Sequence, residues 1–221
     1  GNTSQIGGQL SFAHHLTLKS SNEQYLSFGL SYKFTQFKID FSDFDDPNND
    51  PLLGSDLSST NHNFDAAVLY KIKRFFFSFN AANILNKSLK VFDESEPKKL
   101  RNYYIYTGYN FQLDEGIWEL EPSLYFKYFE SDQRSITDVN IKAKRITDDG
   151  YYWAGFSGRF INDQSFEPLA ITPLLGLKKK DFYVGYAFSY NINEANELNH
   201  GGTHMLTLGY DFESRRGSPR W

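Results

Sequence analysis

The 221-residue chain is 18% aromatic, contains no cysteine and has a formal net charge of −4. Without cysteine there is neither a disulfide framework nor a thiolate metal site, and 23 basic residues spread along the chain argue against a nucleic-acid surface. A mean hydropathy of −0.54 and the lack of any apolar run of about 18 residues exclude a helical membrane span, but not a β-barrel, whose strands alternate apolar and polar residues.

A period of two runs from end to end and helical spacing is almost absent, so the expected fold class is all-β. Strands are predicted near residues 7–19, 24–40, 62–73, 75–85, 101–113, 116–129, 135–147, 150–161, 166–178, 181–192 and 203–213. In the second of these, Leu26, Phe28, Leu30, Tyr32 and Phe34 oppose Ser27, Gly29, Ser31 and Lys33. In the sixth, Trp118, Leu120, Pro122, Leu124, Phe126 and Tyr128 oppose Glu119, Glu121, Ser123, Tyr125 and Lys127. In the tenth, Phe182, Val184, Tyr186, Phe188 and Tyr190 oppose Gly185, Ala187, Ser189 and Asn191.

Alternation alone fits a soluble sandwich, a lipocalin-like barrel or a membrane barrel. The connections discriminate. Tight turns at Lys73-Arg74, Asp114-Glu115, Asp148-Asp149 and Lys179-Lys180 alternate with longer segments, above all Phe41 to Asn61, Asn86 to Leu100 and Asn193 to Gly202. Aromatic residues gather at strand ends, as at Tyr103-Tyr104, Tyr128-Phe129, Tyr151-Tyr152-Trp153 and Phe182-Tyr183. Short periplasmic turns, longer extracellular loops and aromatic girdles are the marks of a bacterial outer-membrane barrel. Residues 1–213 are therefore expected to form part of one antiparallel transmembrane β-barrel domain, followed by a short basic tail, 214–221, that reads as a frayed terminus. A closed barrel with both ends in the periplasm needs an even number of strands, so a count of about eleven predicts at least one more strand before Gly1.

Glu119, Glu121 and Lys127 share a face with Asp138, Asn140, Lys142 and Lys144 on the next strand, and with Trp153 and Arg159 on the one after. These residues are expected in the lumen, because a charge facing lipid costs about 2–4 kcal/mol near the midplane. They read either as a charged pore constriction or as an ion-pair network that fills a narrow barrel; the bulk of Trp153, Tyr125 and Tyr104 favours the network. The acidic stretch Asp43, Asp45, Asp46, Asn48, Asn49, Asp50 and Asp56 offers hard oxygen ligands but lacks EF-hand spacing and a central glycine, and it reads as a solvated loop. His14, His15, His62, His200 and His204 form no HExxH pattern and no GxSxG elbow is present, so no catalytic residue, metal site or cofactor is expected. Exposed apolar residues Leu52, Leu53, Val91 and Phe92, with Asp43 and Asp46, make the long loops the expected partner-binding segments.

Phe28-Gly29-Leu30-Ser31 leading to Phe37 and Asp40, then Asp50-Pro51-Leu52, Asn63-Phe64 through Ala67 to Tyr70, and Phe77 through Asn83 to Leu85-Asn86, resemble the central region of the PorP/SprF family in order and spacing. Asp138-Val139-Asn140, Trp153-Ala154-Gly155 with Arg159, and Gly202-Thr203-His204 before Leu208-Gly209-Tyr210-Asp211-Phe212 follow the order of its later strands. Met205 stands where that family often has an acid. The resemblance spans nearly the whole chain and implies a non-enzymatic outer-membrane protein of the type IX secretion and gliding system. It further implies roughly a third more sequence on the N-terminal side and about fourteen strands in all, an even number. Its partners would be outer-membrane lipid, a secreted surface adhesin, and periplasmic ring or lipoprotein components. Asp50, Pro51, Gly155, Gly202, Thr203 and His204 are the motif residues so implied. A passive porin is the alternative, which a crowded interior disfavours.

Overall fold

The structure, a computed structural model, describes residues 3–39, 57–85, 101–163, 165–192 and 202–211. Among them are twelve β-strands and no α-helix: β1 (Thr3–Lys19), β2 (Gln24–Ile39), β3 (Leu57–Ile72), β4 (Phe75–Ala82), β5 (Asn102–Tyr109), β6 (Phe111–Leu113), β7 (Trp118–Phe129), β8 (Ser135–Thr147), β9 (Gly150–Ile161), β10 (Glu167–Lys179), β11 (Phe182–Asn191) and β12 (Thr203–Tyr210). The strands hydrogen-bond in the antiparallel order β1-β2-β3-β4-β5-β7-β8-β9-β10-β11-β12, with β6 on β7. This is the up-and-down sequence of neighbours that tight turns and period-two strands dictate.

Several boundaries differ from those expected: β1 begins at Thr3 rather than near 7, β4 ends at Ala82 rather than near 85 and β12 at Tyr210 rather than near 213. The segment from Phe41 to Asn61 is not all loop: β3 begins at Leu57, and residues 57–61 continue the ladder opposite Thr35–Ile39 without a break. The polar run at 58–61 has loop composition, yet a backbone ladder is satisfied whatever the side chains are. The fifth predicted strand is interrupted at Asn110 and resumes as β6.

The partition of residues is inside out. Among the described residues the only buried apolar ones are Ala82, Ala170 and Ala187, whereas Ser27, Asn63, Glu119, Ser123, Ser135 and Asp138 are buried. Large apolar side chains lie outside instead, with Phe12 71%, Leu30 54% and Leu175 55% exposed. A soluble sandwich would show the reverse partition and two packed sheets rather than one.

The chain divides into two compact units, Gly1–Ile105 with Lys127–Arg134, and Tyr106–Phe126 with Ser135–Trp221. In the first, β2 is central. Leu10, Tyr32 and Phe64 form one apolar row across β1, β2 and β3, and Phe12, Leu30 and Ala66 the next. On the opposite face the Ser11 and Ser31 hydroxyls meet at 2.9 Å, and Lys33 Nζ reaches Asp65 Oδ2 at 2.8 Å. Asn63, only 3% exposed, fastens the chain leaving β4: its Nδ2 donates to the Leu85 carbonyl at 3.2 Å and its Oδ1 accepts from the Leu85 amide at 2.9 Å. Asp65 Oδ1 accepts from the amide of Asn83, a left-handed residue with φ of 56°, at 2.9 Å. In the connection between β7 and β8, Arg134 Nε donates to Asp132 Oδ2 at 2.6 Å and holds that carboxyl below its ordinary value.

The second unit holds most of β7 and all of β8 to β12. Its tight turns are laced to neighbours by the backbone: the Lys180 amide donates to the Asp149 carbonyl at 2.7 Å, and the Asp211 amide to the Asp181 carbonyl at 2.8 Å. Lys180 takes φ of 52°, the left-handed geometry a two-residue hairpin demands.

Candidate functional site on the polar face of the second unit

Successive side chains of a strand point to opposite faces, so Glu119, Glu121, Ser123 and Tyr125 of β7 emerge together on one side. In β8 the same face carries Asp138, Asn140, Lys142 and Lys144, and the β8–β9 register sets Asp138 opposite Arg159 and Lys144 opposite Trp153. Three cross-strand ion pairs result. Arg159 grips Asp138 with a two-pronged fork, Nε to Oδ1 and a terminal nitrogen to Oδ2, both at 2.7 Å. Lys142 Nζ meets Glu121 Oε1 at 2.8 Å, and Lys144 pairs with Glu119. Asn140 Nδ2 donates to the Asp138 carbonyl at 3.3 Å, and the Lys142 ammonium lies 5.9 Å from the Trp153 ring.

Of these groups Glu121, Asp138, Asn140, Lys142, Lys144 and Trp153 border a cavity of about 800 Å³, which Tyr106, Tyr125, Tyr151, Leu174, Lys178 and Tyr183 also line. A Cβ at Gly176, the residue opposite Trp153 on β10, would collide with the indole, so glycine there lets the ring lie flat on the sheet. Lys178, opposite Tyr151, forms a further ion pair with Asp211. Each of the four cations thus has a carboxylate partner, and the arrangement compensates charge rather than presenting one sign. It can bind or exclude by shape and hydrogen bonding.

Eight of the nine residues expected in the lumen, Glu119, Glu121, Asp138, Asn140, Lys142, Lys144, Trp153 and Arg159, come together here. Lys127 does not: it belongs to the first unit, where its ammonium lies 4.2 Å from the Phe129 ring and 5.3 Å from that of Tyr104. Four members of the site were missed. The Tyr106 hydroxyl sits 3.1 Å from Glu121 Oε1, and Asn110, at the break between β5 and β6, donates to Glu119 Oε2 at 3.1 Å. Both share the parity of Tyr104, which signalled their face. Lys178 and Asp211 likewise share the parity of Gly176 and Gly209.

The family model described as type IX secretion system membrane protein PorP/SprF matches residues 1–210. The chain belongs to the PorP/SprF family. No curated protein and no solved structure matches it. As a member of that family it is a membrane component of the type IX secretion system, which accounts for apolar faces that no element among the described residues covers.

Of the PorP/SprF motif residues, Gly155 lies on the polar face, where a Cβ would stand 2.9 Å from the Ile141 carbonyl oxygen. Gly202 takes φ of 64° just before β12, and a Cβ there would come within 2.8 Å of the Ser189 carbonyl oxygen. Thr203 pairs with Ser189, and His204 pairs with Phe188 on the apolar face, its Nδ1 2.7 Å from the Tyr186 hydroxyl. Met205, on the opposite face, pairs with Ala187. Asp50 and Pro51, and the expected partner-binding residues Asp43, Asp46, Leu52, Leu53, Val91 and Phe92, lie outside the described residues.

Proposed function

We propose that this chain is part of a non-enzymatic outer-membrane β-barrel on which type IX secretion assembles: a platform for secreting or retaining a surface adhesin, with periplasmic ring or lipoprotein components docked on the other side. The inside-out partition of residues carries the reading. Faces made of Leu30, Phe12 and Leu175 suit lipid, while the ion-paired face suits a lumen. A barrel also supplies what open sheet edges lack in lipid, a partner for every backbone group. The periodic tight turns suit the periplasmic side and the long connections the outside.

Affinity isolation of the full-length protein from its native outer membrane, followed by mass spectrometry, tests the platform. An adhesin and a periplasmic component are expected to co-purify; recovery of neither would remove the reading. The cavity of about 800 Å³ beside the ion pairs favours one alternative, a passive channel. Planar-bilayer recording separates the two, because a large, stable ohmic conductance belongs to a porin and not to a filled platform.

A further inference from the structure

We propose that the cavity of the second unit binds a neutral saccharide whose pyranose rings stack on Trp153 and Tyr183. The proposal rests on the reading of this polar face as a lumen. The two aromatic rings reach the same place from different strands. Trp153 of β9 and Gly176 of β10 are paired, and a Cβ on Gly176 would strike the indole. Tyr183 leans along its own strand, β11, so that a Cβ on Gly185 would stand 2.8 Å from its hydroxyl oxygen and 3.2 Å from the ring carbon that bears it. A Cβ on Gly209, the β12 partner of Tyr183, would lie 3.5 Å from the Tyr183 Cβ. Gly176 and Gly185 are themselves partners, and both are buried. The rings therefore lie flat over neighbouring glycines about 5 Å apart, and they turn broad faces toward the cavity they line.

Such a platform suits a flat ligand that carries C–H bonds on its surface. The face of an aromatic ring is negative, and hydrogens on carbons that bear oxygen are positive. Ion pairs edge the platform on two sides. Lys178, the register partner of Tyr183, pairs with Asp211, while Lys142, 5.9 Å from the indole centroid, holds Glu121 at 2.8 Å. Each pair sets a donor beside an acceptor, which matches neighbouring sugar hydroxyls because each hydroxyl both gives and accepts a hydrogen bond. At 5.9 Å the Lys142 ammonium is also too distant to take up the stacking face, where contact distances are about 3.5–4 Å.

The rest of the wall disfavours other ligand classes. It carries three carboxylates, Glu121, Asp138 and Asp211, and three ammonium groups, Lys142, Lys144 and Lys178, so it selects neither sign of charge. Lys144, 5.2 Å from the Tyr151 ring, stands where a cationic ligand would sit in an aromatic cage. Among the described residues Ile141 and Leu174 are the only aliphatic members of the wall, too few to hold an acyl chain or an apolar peptide. A neutral, hydroxyl-rich ligand with a flat hydrocarbon face meets all three conditions. The volume of about 800 Å³ lies within the roughly 300–1,000 Å³ of small-ligand sites.

Saturation-transfer NMR on the full-length protein in detergent micelles tests this, with cellotriose as the neutral probe. Irradiating the aromatic protons should mark the ring C–H protons of the sugar. Trp153→Leu and Tyr183→Leu should each weaken binding about tenfold. Trp118→Leu, on the opposite face of the sheet from Glu119, should leave it unchanged. Gly176→Ala keeps the indole but lifts it from the sheet, and should weaken binding as well. A glycopeptide carrying the same trisaccharide separates two sources of the ligand: equal affinity supports a free sugar, and tighter binding supports a glycan attached to protein. Unchanged binding in both leucine variants overturns the proposal, as does tighter binding of trigalacturonic acid or choline than of cellotriose. If the leucine variants do not assemble, the wild-type spectrum decides, because transfer no stronger from aromatic than from methyl irradiation equally overturns it. Absence of any transfer in wild-type protein with intact heat-modifiable migration overturns the saccharide site and leaves the barrel reading standing. Wild-type protein without a heat-modifiable form removes the barrel reading and this proposal with it.

Discussion

Asp138 and Arg159 show how a charge survives inside this sheet. Asp138 keeps 10% of its side-chain surface and Arg159 40%, and the fork between them satisfies both carboxylate oxygens. Removing one partner strands the other, and the more deeply buried group suffers more. Arg159→Gln is therefore expected to cost more than Asp138→Asn, with both near about 1–3 kcal/mol, since the exposed part of the guanidinium recovers water. The double variant should lose less than the two single losses combined. Urea unfolding from lipid vesicles, run as a double-mutant cycle, measures this coupling; strict additivity would mean that the fork contributes nothing to stability.

For a strand, the decisive property is which face a side chain occupies. Leu30 and Ser31 are adjacent in β2 yet differ completely in setting: Leu30 is 54% exposed in an apolar row, whereas Ser31 bonds to Ser11 on the opposite face. Val184 and Ser189 of β11 stand in the same contrast, Ser189 receiving a hydrogen bond from Thr172 at 3.0 Å. Leu30→Lys or Val184→Lys should cost about 2–4 kcal/mol near the midplane and impair assembly, while Ser31→Lys and Ser189→Lys lose about one hydrogen bond each. Heat-modifiable migration reports the folded fraction, and equal tolerance at all four positions would contradict the assignment of faces. This alternation is also why the strands were legible in the sequence: period two survives in every strand from β1 to β12. Registers were not legible, because a ladder is set by backbone pairing and turn geometry, so that Arg159 could be placed on the face of Asp138 but not opposite it. Asn110 likewise gave no sign that β5 breaks, since its role, a hydrogen bond to Glu119, depends on that register.

At the scale of the whole molecule, the tight turns and the long connections are built for different work. In the first unit the turn residue Lys73 is tied through the backbone to Glu23 at 3.1 Å, and in the second Lys180 is tied to Asp149 at 2.7 Å, which leaves little room for variation. The chain that leaves β4 toward the connection 86–100 is anchored independently of loop sequence, by Asn63 and Asp65, which bond to Leu85 and Asn83. A scaffold that secures its own rim can change its loops without unfolding. On the platform reading, partner choice should therefore reside in the long connections 40–56, 86–100 and 193–201, whose sequences combine charged Asp43 and Asp46 with apolar Leu52, Leu53, Val91 and Phe92. The exchange must run from 40 to 56 and stop before Leu57, because replacing residues through Asn61 would also remove part of the ladder that β3 makes with β2. Substituting that segment from a related barrel should change which surface protein co-purifies and leave heat-modifiable folding intact. If the same partner is still recovered after all three connections have been exchanged, recognition lies at the tight turns or on the ion-paired face, and the long connections serve only to close the strands.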